Sequence, residues 1–176
     1  MTVAGLLTAT LFFLTSRARP LDVLSKRRPP TRVFAFRPAA SILLQFAAHL
    51  AALARARELC APFATRSGAT RAPDGAFAPS PLNTVVFLLT TLVQLNTFAA
   101  NYVGEPFTEA LLDHKALAGL LAASYAVLLA LAADVAPPLA TWLRLAASPS
   151  PAFRTAFLGV MAADTLAVAA VAGIVR

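Results

Sequence analysis

Residues 82–109 read LNTVVFLLTTLVQLNTFAANYVGEPFTE. The part from 82 to 103 is long and apolar enough to cross a bilayer as a helix, which takes about 20 residues. It also carries Asn83, Thr90, Gln94, Thr97 and Asn101, and it runs out into Gly-Glu-Pro-Phe. Spacings of seven, four, three and four place those five side chains on one helical face. Lipid cannot satisfy an amide, so that face has to meet protein or water. Two readings follow. The polar face can hold a helix bundle together through interhelical hydrogen bonds worth about 0.6–2 kcal/mol each. It can instead line a polar cavity that admits a substrate.

Composition supports the membrane reading. Of 176 residues, 59% are hydrophobic and 13% charged, against about 45–50% apolar and about 25% charged in soluble domains. The net charge of +7 would suit nucleic acid in a soluble protein. Beside apolar spans it reads as loops that hold a topology, with no nucleic-acid partner. Cys60 is the single cysteine, which excludes an internal disulfide and a Cys-based zinc site. The sequence has no GxxxxGK[ST], Rossmann glycine fingerprint, HExxH or GxSxG. No catalytic residue and no metal ligand set is therefore legible in this chain.

The fold expected is all-α: a polytopic transmembrane bundle of about five spans, at 2–16, 33–54, 82–103, 116–133 and 153–175. The first span is short, and can be read as a spanning helix or as a signal peptide without its basic start. After it, residues 17–37 hold Arg17, Arg19, Lys26, Arg27, Arg28, Arg32 and Arg37 against Asp22. Such a cluster belongs in the cytosol. The loop around Cys60 is then lumenal, residues 104–115 cytosolic, residues 134–152 lumenal and the C-terminus cytosolic.

Other spans carry polar residues too. Ser41, Gln45 and His49 stand four apart on one face of the second. The only other histidine, His114, falls in a loop, so a packed, hydrogen-bonded His49 is expected rather than a metal ligand. Asp164 sits near the middle of the last span, where a carboxylate is costly and must face the bundle. Gly159, Ala163 and Ala167 around it permit close helix packing. Gln94, Asn101, Gln45 and His49 are its available partners. The candidate groove or bundle residues are thus Gln94, Thr97, Asn101, Asp164, Gln45 and His49.

Two longer patterns identify a family. SRARPLDVLSKRRPP at 16–30 carries Ser16, Arg17, Arg19, Pro20, Leu21, Leu24, Ser25, Arg28 and Pro29. QLNTFAANYVGEPFTEAL at 94–111 carries Gln94, Thr97, Phe98, Ala99, Asn101, Tyr102, Gly104, Pro106, Phe107, Glu109 and Leu111. In this order, each after a span, they resemble the C-terminal membrane region of the fifth-class, subfamily-A P-type ATPases. The resemblance covers nearly the whole chain. Arg19, Pro20, Leu21, Gly104, Pro106 and Phe107 are the motif residues taken from it.

The resemblance implies that the spans are the sixth to tenth helices of an endoplasmic-reticulum pump. That pump would extract misinserted transmembrane helices, using ATP and Mg. The phosphorylation, nucleotide-binding and actuator domains would lie upstream, so this chain is expected to be a fragment with no cofactor of its own. Its partners would be the lipid bilayer, the N-terminal part of the pump and a transmembrane-helix substrate. The alternatives are the membrane domain of a cation-transporting pump, as the older family label implies, and a stand-alone, non-enzymatic small membrane protein.

Overall fold

A computed structural model describes residues 2–23, 36–64 and 79–175. They form six helices: α1 (Thr2–Thr15), α2 (Phe36–Ala64), α3 (Pro81–Asn101), α4 (Lys115–Ala132), α5 (Pro137–Trp142) and α6 (Pro151–Val175). Among the described residues α2, α3, α4 and α6 are long and apolar enough to cross a membrane. The 14 residues of α1 extend about 21 Å at 1.5 Å per residue, short of a hydrocarbon core about 30 Å thick.

The helix ends follow from local chemistry. At α3, Ser80 Oγ accepts from the Asn83 amide at 3.2 Å, and Pro81 takes the first helical position, where its missing N–H costs nothing. At α6, Ser150 Oγ accepts from the Phe153 amide at 3.1 Å, again with proline next. His114 caps α4: its Nδ1 accepts from the Leu117 amide at 3.4 Å, and its Nε2–H donates to the Leu14 carbonyl at 2.9 Å. The same ring therefore ties α1 to α4. Helix α4 stops in a left-handed residue, Asp134 (φ 55°), with Val135 N–H bonded to the Ala130 carbonyl at 3.0 Å. This 6→1 bond satisfies a carbonyl that the helix end would otherwise orphan.

Helix α6 packs most extensively on α2 and then on α3, while α3 also touches α1, α2 and α4. Val85, Leu88, Leu89, Leu92 and Leu95 recur every three or four residues on α3 and are all buried. They join Leu117, Leu121, Leu128 and Leu131 of α4, Phe153, Phe157 and Met161 of α6, and Ala52, Ala56 and Cys60 of α2 in one core. Outward, α2 presents Ile42, Leu43, Leu44, Phe46 and Leu50, a surface suited to lipid.

Two expectations need correction. The helix does not give way to a loop after residue 54, where the second span was expected to end: α2 continues to Ala64. The charges at Arg55, Arg57 and Glu58 lower the hydropathy of the segment, but they leave its helical face intact. Ala52, Ala56 and Cys60 stay in register with the core, and Arg55 pairs with Glu58 outside. Cys60 is consequently a buried helix residue, and not part of a loop. The second correction is α5, a short helix inside 134–152, where a plain loop was expected. Residues 24–35, with four of the seven basic side chains of 17–37, lie outside the described residues, as do 65–78.

Candidate functional site: a polar network across four helices

The middle of the bundle holds a chain of polar side chains, one from each long helix. Asp164 of α6 is 2% exposed. Its Oδ1 accepts from His49 Nδ1 of α2 at 2.8 Å, and its Oδ2 accepts from Asn96 Nδ2 of α3 at 2.8 Å. The Asn96 carbonyl oxygen accepts from the Tyr125 hydroxyl of α4 at 2.8 Å. The Asn96 amide group also lies 3.2 Å from Thr165 Oγ1, whose hydroxyl donates to the Met161 carbonyl at 3.0 Å.

The network is nearly saturated. Both carboxylate oxygens of Asp164 are engaged, and so are both ends of the Asn96 amide. His49 Nδ1–H donates to Asp164 whether the ring is neutral or protonated. His49 Nε2 is the one buried side-chain atom without a partner among the described residues. A carboxylate in low dielectric is tolerable only when its charge meets donors or a counter-charge, and here the helices themselves supply them. The arrangement locks α2, α3, α4 and α6 in rotation and register. It contains no exposed nucleophile.

Two further polar assemblies lie toward the end of the bundle where α1 and α3 finish. Gln45, buried on α2, accepts from Asn101 Nδ2 at 3.1 Å and donates to Ser41 Oγ at 3.0 Å. Beyond it, the segments after α1 and α3 clasp each other. Leu21 N–H bonds to the Phe107 carbonyl at 3.0 Å, and Glu109 N–H to the Arg19 carbonyl at 2.9 Å; together they make an isolated antiparallel bridge between Pro20 and Thr108. Glu109 Oε1 also accepts from the Arg19 amide at 3.2 Å, and the Tyr102 hydroxyl donates to the Glu109 carbonyl at 3.0 Å. Gly104 lies under this turn, where a Cβ would sit against the Glu109 carbonyl oxygen and 2.8 Å from its carbon. The Glu105–Pro106 peptide is cis.

The two long sequence patterns thus meet in space: Arg19, Pro20 and Leu21 of one pair with the Gly104–Glu109 turn of the other. No family model matches the chain. Among curated proteins, the endoplasmic reticulum transmembrane helix translocase of Schizosaccharomyces pombe is 37% identical over 145 residues, 82% of this chain and 12% of the relative. The protein of the same name in Saccharomyces cerevisiae is 40% identical over 116 residues, 66% of this chain and 10% of the relative. The "Probable manganese-transporting ATPase PDR2" of Arabidopsis thaliana is 33% identical over 148 residues, 84% of this chain and 12% of the relative.

The chain belongs to the fifth-class, subfamily-A P-type ATPases.

It spans about a tenth of the length of these relatives. Within this P-type ATPase segment, the expected polar residues separate into two groups. Gln45, His49 and Asp164 are buried, and of the four partners available to Asp164 it is His49 that reaches it. Gln45 and Asn101 bind each other. Gln94, Thr97 and Asn101 share the exposed face of α3 with Asn83 and Thr90, opposite the leucine face. The hydroxyls of Thr90 and Thr97 turn back onto the carbonyls of Val86 at 2.7 Å and Val93 at 2.8 Å.

Asn96, Tyr125 and Thr165 belong to the network but were not legible as site residues. Asn96 stands off the stripe, at the register of Leu89 and Leu92. An amide among core leucines is itself the signal that could have found it. Tyr125 looks like one more aromatic in an apolar helix until Asn96 is placed beside its hydroxyl.

Proposed function

We propose that this chain forms part of the membrane domain of an ATP-driven P-type translocase that extracts transmembrane helices from the endoplasmic-reticulum membrane. The observation that carries this reading is the identity to the Schizosaccharomyces pombe translocase over most of the chain. The clasp supports it, because the two patterns that define the resemblance are one structural unit here. In this reading the network around Asp164 is scaffold: it fixes the rotation of four helices against which moving parts of a pump can work. The clasp end is cytosolic, since it carries the basic segment after α1.

ATP and Mg act in such pumps on domains outside the aligned segment. Among the described residues, no cluster fits the metal. A hard cation takes several oxygens, whereas Asp164, the acid inside the bundle, already accepts from His49 and Asn96 on both oxygens. No step is therefore assigned to this chain's residues in hydrolysis. The same donor set argues against the cation-pump reading that the Arabidopsis relative's name suggests.

A chimera tests the proposal. The aligned segment of the Schizosaccharomyces pombe translocase is replaced by this chain, and extraction of a misinserted reporter helix from microsomes is followed with ATP hydrolysis. Reporter extraction that depends on ATP is expected. A chimera that is abundant and correctly inserted, yet neither extracts the helix nor hydrolyses ATP, would refute the reading.

A further inference from the structure

We infer that the outward polar face of α3, centred on Gln94, seats a membrane-crossing helix from the rest of the pump, one that presents a hydrogen-bond acceptor or donor at Gln94. This rests on the reading of the chain as a segment of a P-type translocase.

Helix α3 runs from Pro81 to Asn101, so Gln94 lies three residues from its midpoint, about 4.5 Å along the axis. That is well inside the hydrocarbon. The side chain is exposed, and its contact among the described residues is with Thr8 of α1 at 3.3 Å. The Thr8 hydroxyl already serves the Ala4 carbonyl at 2.9 Å, and it has a single hydrogen. Gln94 is therefore engaged through one bond at most. A carboxamide offers two N–H donors and an oxygen with two lone pairs, and which end faces Thr8 is an assignment of the amide. In either orientation most of this capacity points away from the bundle, where lipid offers nothing to meet it.

The rest of the face narrows the occupant. Thr90 and Thr97 flank Gln94 one helical turn to either side, with their hydroxyls satisfied by their own helix. They present methyl groups and short side chains, over which a second helix can approach closely. Asn101 closes one end by bonding Gln45 of α2, and α1 borders one side through Thr8. The open sector is thus bounded by two helices and is polar in the middle. The outer surface of α2, with Ile42, Leu43 and Phe46 exposed, is by contrast suited to lipid. A helix is the occupant that fits, and the relatives are about seven times as long as this chain, by the shares of their length that the aligned residues cover. They have the further sequence from which such a helix can come.

The test co-expresses this chain with the remainder of the Schizosaccharomyces pombe translocase, cut where the aligned segment begins. A photoreactive phenylalanine analogue replaces Gln94 or, as a lipid-facing control, Leu43. Irradiation should join the chain to the remainder from position 94 and not from 43. Gln94→Leu should weaken co-purification roughly threefold to twentyfold, the range for loss of an interhelical hydrogen bond, while Leu43→Ala leaves it unchanged. Crosslinks from position 94 only to a second copy of this chain, only to a reporter helix, or only to lipid would overturn the inference while wild-type co-purification upholds the pump reading. If the wild-type chain and remainder do not associate at all, the pump reading itself fails, and the inference with it.

Discussion

Replacing Asp164 by leucine should make α6 easier to insert into a membrane and the bundle harder to assemble. Insertion improves because an aspartate at mid-helix costs about 2.5–3.5 kcal/mol, whereas leucine contributes about −0.6 kcal/mol. Assembly suffers because Asp164→Leu removes the acceptors of two bonds, from His49 at 2.8 Å and from Asn96 at 2.8 Å. Interhelical bonds of this kind are worth about 0.6–1.7 kcal/mol each. The two donors stay buried, and a stranded donor adds about 1–3 kcal/mol. Asn96 retains Thr165 at 3.2 Å, so the larger penalty falls on His49, whose other ring nitrogen already lacks a partner. The expected net loss is at least about 2 kcal/mol, and about 1 kcal/mol for Asp164→Asn, which keeps one acceptor.

Cys60 supplies the assay. It is the only cysteine, and it is 3% exposed in the core between α2 and its neighbours. Its reaction with a maleimide in detergent therefore reports opening of the bundle. The temperature of half-maximal labelling should fall in Asp164→Leu and fall less in Asp164→Asn. Combining Asp164→Leu with His49→Leu should cost less than the sum of the single changes, because the first removes the partner of the second. An unchanged or higher labelling midpoint in Asp164→Leu would refute the network as a source of stability. Rapid Cys60 labelling of the untreated wild type would refute its burial.

Gly104→Ala should open the clasp, because the added methyl meets the Glu109 carbonyl; a loss of about 1–3 kcal/mol and faster proteolysis between α3 and α4 are expected, and unchanged protease resistance would count against the close approach. Tyr125→Phe removes the bond to Asn96 and should cost about 0.5–1.5 kcal/mol by the same labelling midpoint, whereas Thr97→Val, whose hydroxyl serves only its own helix, should be nearly neutral. With Cys60→Ser as background, an impermeant maleimide added to sealed microsomes should label Asp113→Cys beside the clasp and spare Ala147→Cys at the opposite end. The reverse pattern would invert the topology.

By itself the sequence determined the class of the protein and the positions of its long helices. Unbroken apolar length is a local property, and the cost of burying a backbone outside a helix in lipid leaves few alternatives. It also determined that Asp164 must turn inward, and that Ser41, Gln45 and His49 share a face, because period and burial cost are readable from one segment. The end of α2 was misread for the same reason: hydropathy falls at Arg55, but helix continuation depends on Ala56 and Cys60 finding a core that only other segments provide. Which polar residues meet was decided by tertiary structure alone. Asn96 and Gln94 are two residues apart on one helix, yet one closes a four-helix network and the other faces outward, a difference set by how α3 is rotated against α4 and α6. The joining of Arg19–Leu21 to Phe107–Glu109 was equally out of reach, because backbone pairing between distant turns leaves no period in either stretch.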